Sequence, residues 1–314
     1  MDNREIIEKA TMVLSDLATG SGRMSPDQAD TFIRKIQAAP TLLKDVRMEP
    51  MNSDSQRFPI IGFGQRVLRP AVEGVALEDS QKAKPTADSI ILNAKEVIAE
   101  INLTYDVIEN NIEKGRFRDS IMDMLAERAA LDIEELVLNG DKSSDDAYLA
   151  LIDGLRKQAA SQHVIDFKAA ELTKDAFKQG YAAVPPQYLR NPREWAFYTS
   201  HLAQLEWIDY LTSRGTGLGD TALTNGGNIN AYGVPIKPVA MMQPYDAGVD
   251  MENATVSDIL LTHPKNILVG MSRNMTIEVE KDIRARKFII VLTAKLDAVF
   301  EEKDATALVT HVKA

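Results

Sequence analysis

The chain has 314 residues, of which 45% are hydrophobic and 26% charged, so it has the composition of an ordinary globular protein. It contains no cysteine, which excludes disulfide bonds and thiol catalysis. The 46 acidic residues outnumber the 36 basic ones, and a net charge of −10 without a Lys/Arg-rich block argues against a sequence-specific nucleic-acid reader. The sequence predicts neither a membrane span nor a secretory signal.

The first forty residues are predicted to form two short helices. Apolar residues recur at helical spacing in each: Ile6, Ile7, Ala10, Val13, Leu14 and Leu17 in the first, and Ala29, Phe32, Ile33 and Ile36 in the second. Ser25 fits the N-cap of the second helix, Pro26 fits its first position, and Pro40 closes the unit. Because helices this short are marginally stable in isolation, both must dock on another surface.

Residues 66–100 are extended, polar and poor in large apolar side chains. Strand-like pieces are expected at residues 66–68, 89–93 and 95–98, around a centre that contains Pro70, Gly74 and Pro85. A two-stranded arm of this length is marginally stable in water without something to pack on. Its ordering entropy, about 1–2 kcal/mol per fixed residue, is offset by little local burial. We therefore expect a neighbouring molecule to order this arm.

Residues 115–138 carry the strongest helical pattern in the chain, because apolar side chains recur every three or four residues. A helix of about 24 residues is roughly 36 Å long, and Asn139-Gly140-Asp141 is expected to end it. Further helices are predicted at residues 147–160, 172–184 and 200–212, and strands at the start of 100–111 and at 194–198, 232–236, 258–261, 266–270, 276–280, 287–301 and 304–312. This mixture predicts an α+β fold.

The sequence contains no recognisable catalytic motif. The four histidines are too far apart along the chain to predict a metal-binding pair: His163, His201, His263 and His311. The glycine-rich stretch at residues 213–230 predicts a surface loop rather than a nucleotide site. Glu278 and Glu280 share one strand face, where interfacial or solvated charge is favoured over a catalytic pair. We predict no enzyme and no cofactor or metal, although catalytic groups do assemble from distant positions.

Several short features follow one another in a fixed order. They are the Glu73-Gly74 pair in the arm, INLTYDVIENN at residues 101–111, the helix end Leu138-Asn139-Gly140-Asp141, NINAYGVP at residues 228–235, and the strands within residues 267–301. Each is weak by itself. Their order over roughly residues 43–313 resembles that of the major capsid proteins of tailed bacteriophages, the Hong Kong 97-type family.

The resemblance implies an α+β Hong Kong 97-type capsid fold with an N-terminal helical arm, an extended β-hairpin loop (E-loop), a long spine helix, and peripheral and axial domains. The implied division is a helical arm at residues 1–43, an extended connector at 44–65, the E-loop at 66–100, a peripheral domain at 101–180 and 258–314 with the spine helix at 115–138, and an axial domain at 181–257.

The resemblance also implies a function. Copies of the chain would close into pentamers and hexamers of an icosahedral phage head that encloses double-stranded DNA, after assembly in the host cytoplasm. The implied partners are other copies of the chain, a portal protein at one vertex, scaffold and decoration proteins, and packaged DNA contacted weakly and non-specifically, with no membrane. An encapsulin-type nanocompartment shell is the alternative within the same fold, and an unrecognised hydrolase or transferase is the alternative of another class.

The resemblance places inter-subunit contacts in three regions. They are Arg69, Glu73, Gly74, Lys82 and Lys84 in the E-loop, Arg273, Glu278, Glu280, Asp282, Arg284 and Arg286 in the peripheral hairpin, and Gly217, Gly219, Gly226 and Gly227 in the axial loop near the symmetry axis. Some family members join a loop lysine to a peripheral-domain asparagine by an isopeptide bond. Lys82, Lys84 and Asn274 are the candidates for it here, against the favoured alternative of solvated lysines and a turn asparagine.

Overall fold

A computed structural model describes residues 11–12, 42–62, 67–68, 70, 78, 82, 86–106, 117–213 and 229–313. The helices are α1 (Phe117–Asn139), α2 (Leu155–Ala159), α3 (Lys174–Ala183) and α4 (His201–Thr212). The strands are β1 (Thr11–Met12), β2 (Arg47–Pro50), β3 (Ser55–Gly62), β4 (Thr86–Asn93), β5 (Lys95–Thr104), β6 (His163–Glu171), β7 (Ala196–Thr199), β8 (Asn230–Ala231), β9 (Val234–Pro238), β10 (Tyr245–Asp246), β11 (Thr255–Thr262), β12 (Ile267–Asp282), β13 (Lys287–Phe300) and β14 (Thr306–Lys313). Within these ranges, no helix is long and apolar enough to cross a membrane.

One sheet has five strands in the order β1-β5-β13-β12-β2. β12 and β13 form a long antiparallel hairpin near its centre, β5 is antiparallel to β13, and the outer strands β1 and β2 are parallel to their neighbours. α1 covers one face of this sheet, where Leu125 and Ala129 pack with Leu103, Ile290 and Leu292 of the strands. The apolar repeat thus predicted both this helix and its buried face.

The other sheet has seven strands, in the order β6-β14-β11-β7-β9-β8 with β10 beside β11. α3 and α4 contribute to its core through an aromatic cluster, in which the Phe177 ring lies 5.0 Å from that of Phe197 and 4.7 Å from that of Trp207. The side chains of Thr173 and Ser200 accept backbone N–H groups of the first turns of α3 and α4. Both helices therefore begin close to the predicted positions, with polar caps.

A largely buried ion pair fixes the end of α1 against the seven-stranded sheet. Arg156 Nε donates to Asp258 Oδ2 at 3.1 Å, and Arg156 Nη2 bonds to the same oxygen. The Tyr245 hydroxyl donates to Asp258 Oδ1 at 2.8 Å, and burial followed by the Asp258 charge raises the pKa of Tyr245. Arg156 Nη1 also donates to Oδ1 of Asn139, the last residue of α1, at 3.0 Å. The network thereby connects α1, α2, β10 and β11.

α1 ends at a backbone contact that leaves no room for a side chain. A Cβ on Gly140 would lie 2.6 Å from the carbonyl oxygen of Ile152, and a Cβ on Gly154 would lie 2.6 Å from the Gly140 nitrogen. The Gly154 N–H donates to the Gly140 carbonyl at 2.7 Å. The predicted helix end at Gly140 is confirmed, and close approach of two chain segments is the reason for glycine there.

The turn that precedes β2 is held on α1 by a buried carboxylate. Glu134 Oε1 accepts the backbone N–H of Leu42 at 2.6 Å and that of Leu43 at 3.4 Å. Glu134 and Leu42 are both fully buried. A helix side chain thus caps the backbone N–H groups of a separate chain segment.

Several stretches outside the arm differ from the sequence prediction. Residues 147–160 are not one helix, because the Asp146 carboxylate accepts the Tyr148 N–H and the tight contact at Gly154 breaks the pattern, so only α2 is α-helical there. Residues 163–171 form β6, a strand that was not predicted. Thr11–Met12 form a strand on the edge of β5 where a helix was predicted; the rest of residues 1–41 lies outside the described part of the chain.

The arm also begins earlier than predicted. β3, within the expected connector, pairs antiparallel with β4 from Ser55 opposite Asn93 to Gly62 opposite Thr86. Residues 67–68 are not in a strand. β5 pairs with β13 along its whole length and belongs to the five-stranded sheet rather than the arm, because the core under α1 holds its Leu103.

Asp258→Ala would leave the Arg156 guanidinium without its carboxylate in a largely buried site. We expect the free energy of unfolding to fall by about 3–5 kcal/mol, the loss typical of breaking a buried ion pair. Urea denaturation of the soluble subunit measures it. Lys142→Ala is the control: it removes the Lys142–Asp153 pair, whose lysine side chain is 61% exposed, and should lower the free energy of unfolding by about 0–1 kcal/mol. Equal losses in the two variants would contradict the prediction.

Glu134→Ala would remove the acceptor that caps Leu42 and Leu43. We expect a loss of about 1–3 kcal/mol in the free energy of unfolding, because buried N–H groups lose their partner. Glu134→Gln keeps an acceptor oxygen and should lose less. Glu135→Ala, the adjacent and less buried carboxylate, should stay within about 0.5 kcal/mol of the native chain in the same urea experiment. The prediction is wrong if Glu134→Ala is as stable as Glu135→Ala.

Candidate assembly surfaces

The β3–β4 arm is anchored at its base by a small apolar cluster. Leu92 of β4 is fully buried and packs with Met51 and Leu268. Gly270 of β12 lies directly beneath them, since a Cβ at this position would be 2.6 Å from Met51 Sδ and 2.7 Å from Leu92 Cδ1. The absence of a side chain at Gly270 lets the arm sit close to the five-stranded sheet.

Polar groups clamp the same base. The Asn93 N–H donates to Asp297 Oδ2 at 2.7 Å, and Lys295 Nζ lies 3.1 Å from Asp54 Oδ2. The Ser55 hydroxyl bonds to Asn93 Oδ1 at 2.8 Å across the first rung of the hairpin. Burial raises the pKa of the Asp297 carboxyl, while the backbone N–H groups that donate to it act in the opposite direction. The arm therefore leaves the body from a fixed origin.

Beyond its base the arm is a ribbon of two strands. Among the described residues β3 and β4 pair with each other and with no third strand, and Ile91 exposes 46% of its surface. Such a ribbon gains stability by packing on a further surface. Of the predicted contact residues in this arm, Lys82 is described and exposed. The others lie outside the described residues: Arg69, Glu73, Gly74 and Lys84.

The face of the five-stranded sheet opposite α1 combines carboxylates with an exposed apolar residue. Side chains alternate between the two faces along each strand, and the pairing register places Glu100 and Glu278 on either side of Val291. Among the side chains that the structure describes, five exposed ones share this face: Glu96, Ile98, Glu100, Glu278 and Glu280. We call these five residues the acidic sheet face. Ile98 is 68% exposed, so the face offers apolar contact beside the carboxylates of Glu96 and Glu100.

The turn between β12 and β13 presents an apolar residue among cationic ones. Asp282 Oδ1 accepts the N–H groups of Arg284 at 2.9 Å and Ala285 at 3.0 Å, and Arg286 adopts a left-handed φ of 51°. The turn is thus internally hydrogen-bonded, and Ile283 within it is 75% exposed. Arg284 and Arg286 are exposed, as predicted for contact residues, whereas the Asp282 carboxylate bonds to the turn itself.

Arg273 and Asn274 lie within β12 rather than in a turn. Arg273 is opposite Lys295 and Thr276 is opposite Thr293, so two residues of β12 face one residue of β13. This arrangement is a β-bulge, which bends a strand and redirects its side chains. The expectation of a turn asparagine at 274 is therefore wrong for the backbone, and the side chains of both residues lie outside what the structure describes.

The predicted axial loop glycines all lie outside the described residues: Gly217, Gly219, Gly226 and Gly227. The elements on either side of that loop expose apolar side chains. Leu205 of α4 is 59% exposed and Tyr232 is 49% exposed. Tyr232 and Gly233 have positive φ angles of 53° and 82°, as the tight turn between β8 and β9 requires.

The exposed apolar residues were not predicted from the sequence. Within a periodic pattern an isoleucine is interpreted as a core residue, and its burial in the structure shows whether it is in the core or exposed. The signal was nevertheless present at two positions. Ile98 falls on the same strand face as Glu96 and Glu100, and Ile283 falls in a charged turn.

Comparison with known proteins identifies the family. The model of the phage capsid family matches residues 20–308. The chain is 57% identical over 313 residues to YqbE of Bacillus subtilis (strain 168), a protein named as a prophage capsid protein, with all of both chains covered. This identity extends over the arm and both sheets.

Solved structures with the same fold are only distantly related in sequence. A capsid of a native GTA particle has a TM-score of 0.66 at 12% identity and covers 96% of this chain and 100% of its own. A procapsid of satellite phage P4 has a TM-score of 0.62 at 13% identity, covering 100% and 98%. An encapsulin complex from Synechococcus elongatus PCC 7942 has a TM-score of 0.58 at 12% identity, covering 96% of each chain.

These structural likenesses show the fold, and the family match together with the 57% identical relative shows the lineage. The resemblance noted in the sequence is confirmed, and with it the mixed α+β architecture. The chain belongs to the phage capsid family.

Proposed function

We propose that this chain is a major capsid protein whose copies close into the pentamers and hexamers of an icosahedral head around double-stranded DNA. The observation that carries the proposal is an arm that is fixed at its base and that pairs, among the described residues, with no third strand, in a chain of the phage capsid family. A ribbon of this kind is expected where a neighbouring subunit completes its packing. The role is structural, without catalysis or a cofactor.

In this proposal the β3–β4 arm is the E-loop, α1 is the spine helix and the five-stranded sheet forms the peripheral domain. The axial domain is built on the seven-stranded sheet. It therefore takes in β6, β11 and β14 in addition to much of residues 181–257, because these strands share one hydrogen-bonded sheet with β7 and β9. A domain boundary drawn through that sheet would cut its core.

The acidic sheet face is the proposed landing surface for the E-loop of the adjacent subunit. Its Ile98 supplies apolar contact, and its four glutamates meet the basic residues of the loop: Arg66, Arg69, Lys82 and Lys84. Exposed ion pairs contribute about 0–1 kcal/mol each and mainly set register, so cohesion comes from the number of contacts per subunit. A closed shell multiplies these contacts by symmetry.

The remaining contacts surround the symmetry axes. Arg284, Arg286 and the exposed Ile283 meet neighbours at the local three-fold positions. The glycine-rich loop with Gly217, Gly219, Gly226 and Gly227 lies toward the capsomer axis, beside Leu205 and Tyr232. A portal protein at one vertex, with scaffold and decoration proteins, completes the set of protein partners proposed for the virion.

The net charge of −10 fits a shell whose wall holds packaged DNA weakly and non-specifically. A covalent link between Lys82 or Lys84 and Asn274 stays a prediction. Denaturing electrophoresis of particles tests it, since linked subunits migrate as multimers.

An encapsulin-type shell is the second candidate within this fold. It is less favoured, because the encapsulin likeness is at 12% identity and concerns the fold, whereas the relative named as a prophage capsid protein is 57% identical. Absorbance separates the two: particles with packaged genome absorb strongly at 260 nm, and a shell with protein cargo does not. A hydrolase or transferase would instead remain monomeric with a deep apolar pocket.

Electron microscopy of the purified protein tests assembly directly. We expect closed icosahedral particles in which five-fold and six-fold clusters of one chain are resolved, with the E-loop lying on the adjacent copy. A protein that stays monomeric at all concentrations and salt conditions, with the arm folded onto its own body, would falsify the proposal.

Ile98→Asp should prevent or weaken assembly while leaving the subunit folded. Because Ile98 is 68% exposed, we expect the free energy of unfolding to change by no more than about 0.5 kcal/mol. Shell yield is measured by sedimentation and folding by circular dichroism. Val164→Asp is the control, since Val164 is 42% exposed on β6 and outside the proposed contact surfaces. Normal yield from Ile98→Asp would show that the acidic sheet face is not a contact surface.

A further inference from the structure

The C-terminal end of α1 carries an asparagine that is followed by a glycine, Asn139-Gly140. Such a pair is prone to deamidation, because glycine has no side chain to block the approach of its nitrogen and its backbone is free to move. In this reaction the Gly140 backbone nitrogen attacks Cγ of Asn139. The Cγ–Nδ2 bond breaks, and ammonia leaves with the proton of the Gly140 nitrogen. Water then opens the succinimide ring to aspartate or isoaspartate.

In the folded subunit both reacting groups are already hydrogen-bonded. The Gly140 N–H donates to the Leu136 carbonyl at 3.0 Å. Asn139 Nδ2 donates to the Met241 carbonyl at 2.9 Å, and Asn139 Oδ1 accepts from Arg156 Nη1 at 3.0 Å. The Gly140 nitrogen has to lose its proton to attack, and a buried position disfavours the charge that this would create. The bonds at this helix end therefore oppose the reaction.

The packing around Gly140 opposes the reaction as well. The carbonyl oxygen of Ile152 lies 2.6 Å from the place of a Cβ on Gly140, and a Cβ on Gly154 would lie 2.6 Å from the Gly140 nitrogen. The Gly154 N–H also donates to the Gly140 carbonyl at 2.7 Å. A succinimide ring between the Asn139 side chain and the Gly140 nitrogen cannot close until these two chain segments separate.

We propose that Asn139 is a deamidation site that the fold protects, and that it reacts when the end of α1 separates from the segment around Gly154. The inference concerns a single chain and does not depend on how the copies assemble. The product also differs from the native residue in its hydrogen bonding. Aspartate can accept from Arg156 but has no N–H group for the Met241 carbonyl, and isoaspartate lengthens the main chain where the packing is tight. A subunit that has reacted therefore does not regain the native end of α1.

Peptide mapping of the full-length subunit tests the proposal. Trypsin releases Asn139 in the peptide of residues 129–142, and mass spectrometry with chromatography separates its asparagine, aspartate and isoaspartate forms. Asn225-Gly226 is the other pair of this kind in the sequence and serves as the reference in guanidinium chloride, where both pairs should react at similar rates. At the same pH and temperature without denaturant, we expect Asn139 to react at least about a hundredfold more slowly, because its reaction requires local opening.

A pair of arginine variants tests whether the network around Asn139 provides the protection. Arg156→Lys removes the Nη1 bond to Asn139 and keeps a positive charge beside Asp258. We expect the folded variant to deamidate at Asn139 several-fold faster than the native chain. Arg128→Lys is the control, because Arg128 lies earlier on α1 with a side chain that is 53% exposed, and it should leave the rate unchanged. Circular dichroism checks that both variants are folded.

Three results would each overturn the proposal. The first is an equal rate at Asn139 in the folded and the unfolded chain, which would show that the fold gives no protection. The second is no reaction at Asn139 in guanidinium chloride while Asn225 reacts, which would show that the site is unreactive in itself. The third is a rate in Arg156→Lys equal to that in Arg128→Lys, which would show that the hydrogen bonds at the helix end do not control the reaction.

Discussion

A two-stranded ribbon cannot bury both of its faces, and this constraint governs how the subunit is built. The β3–β4 arm is secured where Leu92 packs on Met51 over Gly270, and where Asp297 accepts the Asn93 N–H. Past that point β3 and β4 pair with no third strand among the described residues, and Ile91 exposes 46% of its surface. The subunit is thus rigid at the origin of the arm and incomplete along its length, which suits a part that is finished by contact with another copy.

The carboxylates of the subunit fall into a buried group and an exposed group. The buried carboxylates of Glu134 and Asp258 serve the fold, because each satisfies donors from a different chain segment. The carboxylates of the acidic sheet face are exposed, and the contacts of two of them are to neighbours on the same sheet: Glu96 pairs with Lys295 and Glu100 accepts from Asn102. Solvent-exposed charges of this kind contribute little to stability but favour or reject partners by sign and spacing. The two groups therefore have different physical roles despite identical chemistry.

Local pattern was sufficient to predict α1, α3 and α4 from apolar residues at helical spacing, and β7, β11, β13 and β14 from apolar runs. β12 was predicted as two shorter strands, at residues 266–270 and 276–280. Local pattern was insufficient for residues 147–160, where an Asp146 turn and the contact between Gly140 and Gly154 override helix propensity. The arm was predicted to begin at residue 66, later than it does, because the sequence of β3 alone is typical of a polar connector. Its pairing with β4 is what identifies it as part of the arm. The exposure of Ile98 was not predicted, although its place on one strand face with Glu96 and Glu100 was a signal for it. A sequence shows that a side chain is apolar, and the packed molecule shows that it is exposed.

The order of strands within the sheets has a consequence for synthesis. β12 and β13 occupy the middle of the five-stranded sheet and β14 lies between β6 and β11, yet all three come from the C-terminal part of the chain. β2 and β6 therefore wait on the ribosome for their partners β12 and β14, since translation proceeds at about 5–20 residues per second. Pairings over such long sequence separations are also intrinsically slow to form. A chain that ends before β12 lacks the centre of the five-stranded sheet and the strand that joins β6 to the seven-stranded sheet, so the topology itself disfavours folding of truncated products.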